Sequence, residues 1–141
     1  MNTLFFSKQQ KLLSTLWIFV TFNYLYCDLI GLMDANLLNQ YLTGEVEGLK
    51  MSNNFLLAAA ILMEIPIAMI LASRLLTPIY NCWTNMIAAS IKTLAMVATL
   101  FIGTSTNYYL FFATIEISTT LFIIGYCWYW IQKLKQHYVS I

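Results

Sequence analysis

Apolar residues in this chain come in long blocks, broken by short polar segments. Four such blocks stand out, at about residues 12–33, 55–75, 80–103 and 108–131. Each holds the ~20 residues that an α-helix needs to cross a hydrocarbon core of roughly 30 Å. The pattern predicts an all-α, polytopic membrane protein made of one domain, residues 1–141. Short links make consecutive helices antiparallel neighbours, so the expected architecture is an up-down-up-down four-transmembrane-helix bundle.

The polar segments refine this outline. Residues 1–11, with Lys8 and Lys11, precede the first apolar run in the manner of a signal peptide. That run is too long for an h-region, however, and Tyr24 and Tyr26 stand where a cleavage site before Cys27 needs small residues. An uncleaved first helix is expected. The outer loop, residues 34–54, is acidic, and Gly44 and Gly48 bracket Glu45 and Glu47. Within it Asp34 can cap a short helix in which Leu37, Leu38, Tyr41 and Leu42 share a face that ends at Gly44. Such a helix would lie on the membrane surface or over the bundle mouth. An ordinary loop with some helical character is the alternative.

Composition strengthens the membrane reading. The chain is 60% hydrophobic and 9% charged, with a mean hydropathy of +0.72, whereas soluble domains carry roughly 25% charged residues. A net charge of +1 gives no ground for a nucleic-acid partner. Cys27, Cys82 and Cys127 form no CxxC, and His137 stands alone, so no metal site is expected. Lys8, Lys11, Arg74, Lys133 and Lys135 all fall on one side of a four-span arrangement. By the positive-inside bias both termini are cytoplasmic. Tyr80, Trp83, Trp128 and Trp130 suit the inner interface, and Tyr108 and Tyr109 the outer one.

Ionisable residues inside the apolar runs carry the candidate chemistry. Counted from the helix ends, Glu64 lies about 14 Å deep, Lys92 about 18 Å, Glu116 about 12 Å and Asp28 about 8 Å. The first three therefore share a level near the midplane. A charge facing lipid there costs about 2.5–3.5 kcal/mol, so all four are expected to point inward. Helical spacing agrees for three helices: Trp17, Thr21, Tyr24 and Asp28 share a face, as do Asn81, Asn85 and Lys92, and Tyr109, Glu116 and Thr120. Lys92 can neutralise only one of Glu64 and Glu116, and the second carboxyl would hold a proton or bind a cation. The competing reading is a static Glu-Lys-Glu network, with Asn85 and Thr120 as hydrogen-bond partners, that sets helix register. Pro66 cannot donate to the Leu62 carbonyl, which leaves a bare acceptor one turn from Glu64. Ala58–Ala60 and Ala88–Ser90 read as close-packing stretches. A weak internal repeat is suggested by Met63-Glu64-Ile65-Pro66 and Ile115-Glu116-Ile117-Ser118.

Segments 13–19, 58–69 and 111–117, with Ile91-Lys92-Thr93 between them, resemble those of an uncharacterised family of small bacterial four-helix integral membrane proteins. That family is similar in layout to the DoxX-like group, some of whose members are linked to quinone-coupled oxidoreductases. The resemblance implies a bacterial inner-membrane location. Fold alone does not carry function, and no cofactor motif is present. Two classes of function follow. One is a module that binds a small amphipathic ligand or relays protons or cations through Glu64, Lys92 and Glu116, with Asp28 and Asn85 nearer the ends. The other is an accessory subunit whose acidic outer loop or lipid-facing helix surfaces dock another membrane subunit, its charges structural; a homo-oligomer is a separate expectation. An enzyme acting on a lipid or quinone through a Glu64–Glu116 acid-base pair is a third and lesser expectation.

Overall fold

The computed structural model describes residues 3–101 and 106–139, and nearly all of them are helical. Five helices occur among them: α1 (Thr3–Gly31), α2 (Ala35–Thr43), α3 (Asn53–Leu75), α4 (Pro78–Thr99) and α5 (Asn107–Val139). Three of these, α1, α3 and α5, are long and apolar enough to cross a membrane. α4 matches them in length, but its apolar character is diluted by Asn81, Asn85 and Lys92. The end of the third apolar run, Gly103, and Thr104-Ser105 of the link after it lie outside the described residues.

Local chemistry explains the boundaries. α1 begins nine residues before its apolar run, because Lys8, Gln9, Gln10 and Lys11 are good helix formers. It stops at Gly31, where the chain folds back. A Cβ on that residue would lie 3.2 Å from Cδ2 of Leu37 and 3.6 Å from the Tyr108 hydroxyl, so a side chain there would crowd α2. The Asp34 carboxylate caps α2, accepting from the amides of Asn36 at 2.9 Å and Leu37 at 3.3 Å. Gly44, at φ 76°, closes α2 in the left-handed conformation that favours glycine.

The loop then does something its composition does not announce. β1 (Glu45–Val46) pairs antiparallel with β2 (Leu49–Lys50), placing Glu45 opposite Lys50. Glu47 and Gly48 turn the hairpin with φ of 49° and 81°, both positive as a type I′ turn demands. The Glu47 amide donates to Oε1 of Gln40 at 2.8 Å, tying the hairpin to α2.

Ser52 caps α3 through the amide of Phe55. α3 and α4 are joined by Leu76 and Thr77 alone, and Pro78 occupies the first turn of α4, where no intrahelical donor is needed. Despite that short link, α3 packs mainly on α1, and α4 packs mainly on α5, which also lies against α1. The weakly packed chain neighbours are α3 and α4, whereas α4 and α5, also consecutive, pack closely. Two apolar cores result. One, nearer the α3–α4 turn, gathers Leu13, Trp17, Met69, Cys82, Ile123 and Cys127. The other, nearer α2, gathers Val20, Tyr24, Met96 and Ala113.

Asp34→Ala removes the α2 cap, at a cost of about 1 kcal/mol. Hydrogen exchange at the Asn36 and Leu37 amides is expected to quicken about fivefold, with α3 to α5 unchanged.

Candidate functional site

Each of the four long helices sends one side chain to a common level between the two cores. Lys92 of α4 is 2% exposed. Its ammonium sits 3.8 Å from the centroid of the Tyr24 ring of α1, and 3.9 Å from the sulfur of Met63 of α3. Glu116 of α5 is 1% exposed. The ammonium is thus held by a ring face and a thioether, both of which attract a cation with little solvation of their own.

What sets this level apart is its unmet hydrogen bonding. Among the described residues, neither carboxylate oxygen of Glu116 has a hydrogen-bond partner, and neither does the buried hydroxyl of Tyr24. One turn further along α5, Thr120 donates to the main-chain carbonyl of Glu116 at 2.9 Å and accepts from Thr93 at 2.8 Å. Those hydroxyls therefore spend their bonds on the backbone and on each other, not on the carboxylate.

A second buried polar level, two turns back along α4, shows the opposite state. The Asn85 amide oxygen accepts from the Trp17 indole at 2.6 Å and from the Ser73 hydroxyl at 3.2 Å. Its amide nitrogen donates to the Asn81 carbonyl at 2.8 Å and to the Asn81 side-chain oxygen at 2.6 Å. Asn81 donates in turn to the Ser73 carbonyl at 2.6 Å. Nothing remains on Asn85 for a ligand, so it ties α1, α3 and α4 together. Ser14, which donates to the Ile70 carbonyl and accepts from Arg74, extends the tie toward the α3–α4 turn.

The expected cluster of Glu64, Lys92 and Glu116 is only half formed. Lys92 and Glu116 are buried, but Glu64 is exposed. α3 buries the face carrying Pro66, Met69 and Ser73, and Glu64, two residues before Pro66, lies about 200° around the helix from it. Its depth matches that of the other two, but its direction does not. The inner position at this level is taken by Met63, the residue next to it. The Glu64 carboxylate and the acceptor released by Pro66 therefore do not form one interior site. Asp28 is also exposed, one turn beyond Tyr24 toward α2. The two glutamates of the suggested repeat occupy opposite surroundings, so the matching tetrapeptides mark no equivalent site. Met63 escaped the sequence reading altogether, because methionine in an apolar helix carries no signal. The buried triplet Pro66, Met69 and Ser73 was the available clue to the facing of α3.

An apolar, helix-built protein with a lysine and a glutamate buried among its helices is the class these features define. The chain belongs to a family of unknown function, DUF6326, which matches residues 3–136. No curated protein and no solved structure matches it.

The two levels predict different responses to substitution. Asn85→Leu strands the Trp17 indole, the Ser73 hydroxyl and the Asn81 side chain, and is expected to cost about 2–4 kcal/mol in thermal or denaturant unfolding. The double change Lys92→Met with Glu116→Gln removes two buried charges together. It is expected to leave the melting temperature unchanged or higher.

Proposed function

We propose that this is a multi-pass membrane protein in which α1, α3, α4 and α5 form an up-down-up-down bundle. Both termini are then cytoplasmic, and α2 and the hairpin lie on the outer side. The exposed apolar surface supports this reading: Phe22, Leu57, Leu71, Trp83 and Phe122 are each at least half exposed. In water such a surface would drive aggregation, and in lipid it is the natural exterior. The basic residues at the α3–α4 turn and on α5 suit the cytoplasmic face of a bacterial inner membrane.

Within that frame the Lys92–Glu116 level is a binding site for the polar head of a small amphipathic ligand. The observation that carries this reading is the pair of buried Glu116 oxygens with no hydrogen-bond partner. Buried polar atoms are almost always satisfied, and a bare carboxylate marks a place where something else supplies the donor. A head group with a hydroxyl fits: the hydroxyl donates to Glu116, and its oxygen accepts from Lys92 and the Tyr24 hydroxyl. A quinol has this chemistry, and it is the ligand class that the resemblance to the DoxX-like group implies. A proton or cation relay is less well supported. Toward the cytoplasmic side, the saturated Asn81–Asn85–Trp17 level and the core around Leu13 and Ile123 offer no continuing path. An accessory subunit with purely structural charges accounts for the Asn85 level, but leaves Glu116 unexplained.

Titration of the protein in lipid nanodiscs with decyl hydroquinone, followed by tryptophan fluorescence, tests the reading. Saturable binding is expected, weakened about tenfold or more by Glu116→Gln and by Tyr24→Phe, and unchanged by Glu64→Gln. Binding that is equally tight in all four proteins would place the ligand elsewhere. If no binding is seen, and no small molecule co-purifies with the wild type and is lost from Glu116→Gln, the level is structural.

A further inference from the structure

Glu64 is the most conspicuous side chain that the proposed site leaves unused. It lies eleven residues from either end of α3, at the centre of the helix. It is exposed, and it has no partner among the described residues. The helix ends are each about 16 Å away, far beyond the reach of a glutamate side chain, so the carboxyl cannot extend to the interface. Around it runs the outward face of α3. Leu57 is 62% exposed, Ile61 60% and Leu71 65%, and Ala60 and Ala68 stand one turn to either side of Glu64. Only 11% of the apolar window of α3 is buried, against 33% for α1 and 28% for α5.

We infer that this face of α3 is an interface with a second copy of the same chain, closed around Glu64. A carboxyl at mid-helix in hydrocarbon needs a polar partner at its own depth. A twofold axis along the membrane normal supplies one automatically, because it sets Glu64 of one protomer against Glu64 of its partner. Two carboxyls complement each other when one proton lies between them, the protonated group donating and the other accepting. The flanking alanines provide the second requirement. With small side chains one turn above and below, two α3 backbones approach closely enough for the short glutamate side chains to meet. The remaining apolar residues of the face then pack on their own symmetry copies. The inference rests on α3 crossing a bilayer, and is independent of the ligand site.

Pairing can be read by single-molecule photobleaching, or by energy transfer between labelled copies, in vesicles at increasing lipid dilution. Wild-type protein is expected to pair at high dilution. Glu64→Leu should weaken pairing about tenfold, and so should Ala68→Leu, which blocks close approach. Glu64→Gln keeps a side chain that both donates and accepts, and should stay within about threefold of wild type. Both positions are exposed, so each protomer should keep its melting temperature. Glu116→Gln should pair normally, which separates failure here from failure of the ligand site. Wild-type protein that is monomeric at every dilution would overturn the inference, as would Glu64→Leu pairing as well as wild type. Native mass spectrometry showing a different protein, released by Ala68→Leu, would overturn the choice of a second copy as occupant.

Discussion

Asn85 ties the structure together. Its amide accepts from α1 and α3, donates twice within α4, and uses every hydrogen-bonding position it has. Because the three helices are pinned here, their faces two turns away are fixed as well. Lys92 therefore meets Tyr24 and Met63, and α5, docked on α4 and α1, brings Glu116 to the same level. In an apolar surrounding no water competes for these bonds, so a tie of this kind decides rotation and register more firmly than side-chain packing alone.

The contrast between the two polar levels carries the functional argument. Both are buried, and both are built from side chains of several helices. One has every donor and acceptor of its central amide, Asn85, matched, and the other leaves a carboxylate and a phenol without a partner among the described residues. A protein that needed only register would gain nothing from the second arrangement, since Lys92 and Glu116 could each be replaced by an aliphatic of similar volume. Holding the lysine by a ring and a sulfur keeps its ammonium in place without using the glutamate.

Residue counting assigned each ionisable side chain a depth and said little of its direction. The apolar runs placed Glu64, Lys92 and Glu116 at one level, since rise per residue is nearly constant in a helix. Which way each points depends on packing partners, and only helices with several polar residues in phase disclosed it. Asn81, Asn85 and Lys92 marked one face of α4, and Tyr109, Glu116 and Thr120 one face of α5. α3 has one charge at mid-helix, Glu64, with Arg74 confined to its last turn, which gave the eye nothing to align against Pro66, Met69 and Ser73. The α2 caps were legible because Asp34 and Gly44 each do what their chemistry favours. The hairpin was not, because Glu47 takes a positive φ that asparagine or glycine normally supplies.

The polar load on α4 also bears on how the chain is built. Among the four long helices, α1, α3 and α5 are long and apolar enough to cross a membrane, and α4 carries two buried asparagines and a buried lysine. Those side chains find partners within α4 and on α1 and α3, and only two residues join α4 to α3. Were α4 to enter a bilayer, its asparagines and lysine would need those partners as it enters, so that its insertion and its packing would be one event.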